Sequence, residues 1–404
     1  MSKFITGLDI GSSQIKCVIA EEKKDGSFSI VAAFKEPSAG VRKGLITDVE
    51  QATQVLRNVA RDIQKISKAA AKNIFVNVNS EYVQSRISRG TTLISQSDQE
   101  IQADDVERVD EHSARALKLS SNHMILHKIA REYFIDDIGG IYDPLGMTGN
   151  KLEVNALVVE AFTPHVNTLL KNLERVGIRI AGMIFNPLAA SESVLTKKQK
   201  ELGVLMIDFG FGTTSIAVYE EGKIMHAKSL PLGVGYVTSD IAIGLKTHID
   251  AAEKMKLRYG FAMSHEVSRK DVVKLAEFDS ANTNEISRRF LSEIIEIRLA
   301  EILDLVNNEL KVLGHRAELP AGVMMTGGGV KLAGMEDLVK EELKLPARVA
   351  FPNLANFEIL NPANRELVED PEFSCALGLV LGGKTNPGSV SQSRLRSFLR
   401  NLIP

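Results

Sequence analysis

The stretch Leu205-Met-Ile-Asp-Phe-Gly-Phe-Gly-Thr-Thr-Ser215 decides how the rest of the chain reads. Its apolar run, Val204 to Ile207, has the composition of a buried strand, and the strand ends on an acid, Asp208. The chain then turns through Gly210 and Gly212 into Thr213 and Thr214. Glycine lets a ligand approach the backbone closely. Successive amides in such a turn form a concave anion site, to which threonine hydroxyls add donors. The acid at the strand end suits a cation that keeps its waters and sits beside the anion. Taken alone, the stretch reads equally well as an ordinary glycine-rich hairpin turn, because short glycine motifs recur by chance.

An echo near the start shifts that balance. Phe4-Ile-Thr-Gly-Leu-Asp-Ile-Gly-Ser-Ser-Gln-Ile-Lys16 has the same plan: a strand, an acid at Asp9, Gly11, then the hydroxyls of Ser12 and Ser13. Apolar alternation resumes after each turn, so each copy predicts a β-hairpin. Two such hairpins, roughly two hundred residues apart, suggest related halves facing one anion from opposite sides. A third glycine cluster, Ala321-Gly-Val-Met-Met-Thr-Gly-Gly-Gly-Val-Lys-Leu-Ala-Gly334, runs from a buried strand through Gly327, Gly328 and Gly329 towards a helix near Met335. Bare backbone there can lie against a flat base or a phosphate.

The 404 residues allow two or more domains, and 44% hydrophobic with 25% charged residues is ordinary for a globular protein. A formal net charge of −2 gives no general case for nucleic acid binding. Cys17 and Cys375 stand far apart in apolar contexts and read as small core residues of a reducing compartment. There is no charged-then-apolar leader pattern, and no apolar run approaches the ~18 residues of a membrane span, so the expected location is the cytoplasm.

Along the chain, hairpins, a helix with Val55, Leu56, Val59, Ile63 and Ile66 on one face, and an alternating strand at Asn73–Asn79 begin an α/β layer domain. Residues 85–161 differ, with polar strands and one weakly amphipathic helix, and read as a small α+β unit interrupting the first half. A helix with Val166, Leu169, Leu170 and Leu173 resumes the main fold. Glu253 and Lys256 fall on one face of a short helix, at a spacing most often used by solvated ion pairs. A long amphipathic helix is predicted from Glu285 to Val312, with Phe290, Ile294, Ile297, Leu305 and Leu310 among its apolar positions. The expected division is 1–84 with 162–203 as a first lobe, 85–161 as the insert, 204–245 with 321–383 as a second-lobe core, and 246–320 as a helical subdomain of that lobe.

A polar linker, 384–393, leads to Arg394-Leu-Arg-Ser-Phe-Leu-Arg-Asn-Leu-Ile-Pro404. At ~100° per residue, Leu395, Phe398, Leu399, Leu402 and Ile403 occupy an arc of roughly 140°. Arg394, Arg396 and Arg400 flank it. A basic amphipathic helix on a linker suits an anionic bilayer surface; docking on the protein's own body or on a partner is the other reading.

The three glycine clusters, in this order, resemble the nucleotide site of the actin, hexokinase and DnaK-type chaperone superfamily. That resemblance implies a two-lobed, duplicated actin-like ATPase fold of the α/β class. It implies ATP phosphates held by Gly11, Ser12, Ser13, Gly210, Gly212, Thr213 and Thr214, and Mg2+ served by Asp9 and Asp208. It also implies ribose and adenine contacts from Glu253, Lys256, Gly327, Gly328 and Gly329. Within the superfamily the chain resembles the FtsA family, the bacterial actin-like division proteins, through the insert, the Gly233 and Thr238-Ser-Asp240 stretch, the Thr326–Gly334 loop and the terminal helix. The FtsA resemblance implies self-assembly head to tail, tethering of FtsZ filaments to the inner face of the membrane, docking of the acidic FtsZ C-terminal tail on 246–320 with Arg298 as a contact, and later division proteins on the insert.

Three positions depart from the superfamily pattern. Phe211 stands where glycine is frequent, and Ser215 where an acid is. Asn186 stands where hydrolysing relatives commonly carry a glutamate, and an amide cannot serve as a general base. The expected behaviour is ATP binding with weak or absent hydrolysis. The other readings are a pilus-assembly scaffold of the same superfamily, which would usually lack the tail, a sugar-kinase-like phosphotransferase, for which no catalytic acid is evident, and a chaperone, whose peptide-binding domain has no counterpart here.

Overall fold

The computed structural model describes residues 3–96, 98–279, 282–314 and 319–385. The expected linker loses its first two residues, Lys384 and Thr385, to the last helix, and the rest of it, with the amphipathic segment carrying Leu395, Phe398 and Arg400, lies outside the described residues. Strands β1 (Lys3–Ile10), β2 (Gln14–Glu22) and β3 (Phe28–Pro37) form an antiparallel meander. A two-residue hairpin, β4 (Val41–Arg42) and β5 (Leu45–Ile46), leads into helix α1 (Val49–Ile66). Asp48 caps α1 by accepting from the amides of Glu50 and Gln51, a contact that stabilises by about 1 kcal/mol. Strand β6 (Ile74–Val78) then pairs parallel to β1.

The insert consists of β7 (Val83–Leu93), α2 (Ala103–Ala116), β8 (His123–Ile135), β9 (Ile138–Ile141) and β10 (Lys151–Phe162). Its small core gathers Ile101, Val109, Tyr133, Leu152 and Val154. Helix α3 (Thr163–Arg175) follows, burying Val166, Leu170 and Leu173, then β11 (Ile180–Phe185), helix α4 (Asn186–Val194) and α5 (Lys197–Leu202).

The second half repeats the meander with β12 (Val204–Phe209), β13 (Thr214–Glu220) and β14 (Lys223–Leu230). After it come α6 (Gly235–Leu245), α7 (Ile249–Tyr259), the small hairpin β15 (Val272–Lys274) with β16 (Glu285–Ser287), and α8 (Arg288–Leu313). The chain continues with β17 (Val323–Thr326), α9 (Met335–Leu343), β18 (Ala347–Val349), β19 (Phe357–Ile359), α10 (Pro362–Glu369) and α11 (Ser374–Thr385).

One sheet runs β11-β6-β1-β2-β3-β19 and the other β18-β17-β12-β13-β14-β7-β10-β8-β9. The five-strand order of the first, β3-β2-β1-β6-β11, matches β14-β13-β12-β17-β18 of the second. The duplication expected from the two hairpins is therefore present in the sheets themselves. The insert's strands extend the second sheet, although the insert leaves the chain within the first half.

Three expectations change. The long helix begins at Arg288, because Glu285–Ser287 are taken into a strand against Val272–Lys274. Its buried face is Leu291, Ile295, Leu299, Ile302, Leu303, Val306 and Leu310, whereas Ile297 is 72% exposed and Phe290 45%. The assignment of 321–383 to the second lobe also fails beyond about residue 356. Strand β19 pairs with β3, and α11 packs on β1, β2, β6 and α4, so the chain returns to the first lobe. Small residues make that return possible: a Cβ on Gly7 would collide with the Ala376 carbonyl, and one on Gly378 with that of Ala189. Among the described residues no helix is long and apolar enough to cross a membrane.

Gly378→Ala should therefore force α11 away from α4 and lower stability by roughly 1–3 kcal/mol in urea unfolding. An unchanged midpoint would show that these helices are not closely packed.

Candidate nucleotide site

The two glycine-turned hairpins close in the same way. The Gly11 amide donates to the Gln14 carbonyl at 3.1 Å, and the Gly210 amide to that of Thr213 at 3.0 Å. The registers Asp9↔Lys16 and Asp208↔Ser215 complete the correspondence. Residue by residue, Gly11 matches Gly210, Ser12 matches Phe211, Ser13 matches Gly212 and Gln14 matches Thr213. Thr214 therefore occupies the strand position of Ile15, not a turn position. Its side chain is fully buried, its hydroxyl has no hydrogen-bond partner, and it does not line the cleft.

The other turn residues face one cavity of about 460 Å³ between the lobes. Gly11, Ser12, Ser13, Gly210, Gly212 and Thr213 line it, with Asp9 and Asp208 at its base. The hairpins come close enough that a Cβ on Gly212 would meet Ser12 Oγ, which also accepts from the Gly44 amide. Gly327, Gly328 and Gly329 form the adjoining wall. Gly327 has φ +88°, and a Cβ there would strike Asp208 Oδ1, so both backbone conformation and space require glycine.

Lys256 Nζ lies 2.7 Å from Glu253 Oε2 and donates to Thr238 Oγ1 at 2.8 Å, while Thr238 donates to Glu253. The pair read from spacing is thus a hydroxyl-linked group on the cleft wall, with Lys256 buried and Glu253 half-buried. Burial pushes the Lys256 pKa down against the pull of Glu253. Arg298 stands outside this cavity. Asp240 clamps it through Nε at 2.6 Å and Nη2 at 3.1 Å, Glu301 takes Nη1, and the guanidinium lies 5.9 Å from the Tyr236 ring centre.

The cleft also holds residues that spacing did not reveal. Asn186 Nδ2 donates to Asp208 Oδ2 at 2.6 Å. Asn77 Nδ2 lies 3.2 Å from Asn186 Oδ1 and 2.7 Å from Asp9 Oδ1, and Asn77 Oδ1 accepts from the Ile10 amide at 2.7 Å. Two amide side chains thus connect the two acids. Lys16 Nζ sits 3.3 Å from Asp9 Oδ2. Burial lowers its pKa, but Asp9, Glu372 and Asp208 outweigh that and hold it raised. Asn79 donates to Thr213 Oγ1 at 3.0 Å and accepts from Ser215 Oγ at 3.1 Å, so Ser215 orders the second turn from behind. The available signal was an asparagine, Asn77, inside a wholly buried strand, with a second, Asn79, two residues on, just past the strand's end. Cys375 also lines the cleft, and burial, then Asp9 and Asp208, raise its thiol pKa well above the usual value.

Burial and the nearby Asp9 push Asp208 up to about 6, against the hydrogen bond from Asn186. Among the described residues no three His, Cys, Asp or Glu side chains gather as a metal cage. Two carboxylates beside amide-rich turns could hold a hard cation such as Mg2+, which keeps several of its waters.

Comparison with solved structures defines the class. The PilM-PilN type IV pilus biogenesis complex matches with a TM-score of 0.65 and 18% identity, covering 94% of this chain and 98% of that one. MreB5 of Spiroplasma citri bound to ADP matches with a TM-score of 0.53 and 13% identity, covering 99% of both. The fold is that of the actin-like proteins.

Sequence relatives narrow it further. A family model described as Cell division protein FtsA matches residues 205–378, and one described as SHS2 domain inserted in FTSA matches 80–160. Cell division protein FtsA of Pseudomonas aeruginosa is 32% identical over 381 residues, covering 94% of this chain and 89% of the relative. That of Bacillus subtilis is 31% identical, covering 94% and 83%, and that of Escherichia coli K12 is 29% identical, covering 95% and 90%. The chain belongs to the FtsA family of cell division proteins.

The raised Asp208 pKa fixes the sign of a pH effect. In the metal-free chain the carboxyl stays protonated to higher pH when folded than when unfolded, so folding weakens as pH rises from about 4 through about 6. Asp208→Asn should raise metal-free stability at pH 7 by on the order of 2–3 kcal/mol, with the difference vanishing near pH 4. Denaturant titrations at the two pH values measure it, and parallel curves would show that Asp208 ionises freely.

Proposed function

We propose that this chain binds ATP with Mg2+ in the interlobe cleft, assembles head to tail with itself, and tethers FtsZ filaments to the inner face of the cytoplasmic membrane. The observation that carries the nucleotide reading is the convergence of both glycine turns, Asp9 and Asp208 on one cavity. The residues fit the group: amides and hydroxyls of Gly11, Ser12, Ser13, Gly210, Gly212 and Thr213 would receive phosphates, and Glu253, Lys256 and Gly327–Gly329 the nucleoside. Bound Mg2+ would neutralise phosphate charge and relieve the repulsion between the two acids.

The chain's own residues favour holding the nucleotide over cleaving it. Asn186 is an amide hydrogen-bonded to Asp208 and Asn77, so at this position the cleft offers no base to a water. Turnover should fall well below the ~1 s⁻¹ low end of kinase rates. A single-turnover measurement near that rate would place the chain among phosphotransferases instead.

Residues 394–404 supply the membrane contact in this reading, and the surface of α8 with Arg298 the contact for the acidic FtsZ tail. An incoming carboxylate there must compete with Asp240. The insert offers its exposed strands to later division proteins. Liposome flotation of the full chain and of a chain ending at Pro387, each with and without ATP and FtsZ, tests the tether. The full chain should float with anionic vesicles and carry FtsZ; the shortened chain should do neither. Undiminished flotation of the shortened chain sinks the tether assignment, and flotation without FtsZ recruitment sinks the adaptor role alone.

A further inference from the structure

A second cavity, of about 340 Å³, lies against Leu188 and Ala189 of α4 and Gly378 and Gly382 of α11, where three parts of the molecule meet. Its lining includes Arg131 from β8 of the insert, Lys223 from β14 of the second lobe, and Lys200 from α5, which joins the lobes. Among the described residues of that lining, Glu192 is the one carboxylate, set against Arg131, Lys200 and Lys223. Tyr219 and aliphatic residues of α4 and β14 complete the walls.

These cations are incompletely served. Arg131 Nε is buried without a hydrogen-bond partner, and Nη2 faces the sulfur of Met225, a weak acceptor, at 2.7 Å. Burial lowers the Arg131 pKa against the pull of Glu132 and Glu220. Lys223 reaches Glu132 only at 3.5 Å and the exposed Glu221 at 3.6 Å, with its ammonium 5.1 Å from the Tyr142 ring centre. Lys200 pairs with Glu192 at 2.7 Å and lies 4.9 Å from the Tyr219 ring centre. A guanidinium and two ammonium groups lining one chamber, with a single carboxylate in the described part of its wall, supply the charge and donors that suit a phosphate group.

We propose that this chamber binds a small phosphorylated molecule, its phosphate held by Arg131, Lys200 and Lys223 and its body lying against the aliphatic wall. The volume exceeds that of a bare phosphate and falls in the range of small-molecule pockets. A ligand here would contact the insert, the second-lobe hairpin and the α5 connection together. It would fix the position of the insert independently of the nucleotide cleft.

The test titrates phenyl phosphate, a phosphate on a small planar body, into the full chain by calorimetry. The wild-type chain should bind it at least tenfold more tightly than phenol, and the Arg131→Gln/Lys223→Gln double variant should lose at least tenfold of that affinity. Equal affinity for phenol, or a folded double variant that binds like wild type, overturns the proposal; the latter would also result if the nucleotide turns were the true phenyl phosphate site. Should the double variant not fold, Lys200→Gln and the wild-type comparison with phenol decide the matter. A crystal soaked with phenyl phosphate should show it beside Arg131, and a soak showing it elsewhere counts equally against the assignment.

Discussion

Two acids facing one cavity, Asp9 buried and Asp208 half-buried, form the constraint on which the rest of the structure depends. Asp9 and Asp208 end the first strands of the two repeated sheets, and bringing the sheets together brings like charges together. The chain meets this with neutral donors: Asn77 beside Asp9, Asn186 beside Asp208, and a short contact between the two amides. An amide donates to a carboxylate without adding charge, so it satisfies the carboxylate oxygens and leaves the negative charge of the site in place. Asn186 thus both satisfies Asp208 and, through Asn77, ties the acid of the second lobe to that of the first.

That dual role follows from the position of α4. Eight of its nine residues, Asn186 to Ser191 with Ser193 and Val194, are buried, because it lies beneath both sheets and against α11. Its polar side chains are absorbed locally: Ser191 donates to the Pro187 carbonyl, and Ser193 to those of Ala190 and Ser374. The helix therefore carries no amphipathic stripe, and its first residue can project into the cleft. From the other side of the cleft, Thr326 meets Ser374 and the Pro371 carbonyl, linking the end of β17 to the start of α11.

Much of this was legible in the sequence, for reasons that differ between elements. The meanders were visible because alternation and glycine turns are local signals, and their repetition gave the duplicated fold. The buried face of α8 was not visible, since Phe290, Ile294 and Ile297 offer a second apolar row beside Leu291, Ile295 and Leu299; only packing against α6 and α9 chooses between them. Thr214 was misplaced by counting hydroxyls after the glycines, when strand register was the quantity that mattered. The return of β19 and α11 to the first lobe could not be read at all, because an apolar helix pattern does not say which sheet it covers. Asn77 was read only as part of an alternating strand, since its partners are 68 and 109 residues away in sequence.

The insert is tied to the body in two unequal ways. Its covalent connections, at Val83 and Phe162, enter from the first lobe, whereas towards the second lobe its sheet makes one strand pairing, Lys228 with Gln84, and side-chain contacts from Ser85 to Ala227, Arg131 to Met225, Glu132 to Lys223 and Tyr142 to Glu221. Mechanically this is a crossbar hinged to one arm and lightly pinned to the other. Any change in the angle between the arms must either swing the crossbar or slip the pin. The side-chain contacts between the insert and β14 thus set how far a rearrangement at the cleft is transmitted to the outermost strand, β9, at the far edge of the molecule's longest sheet.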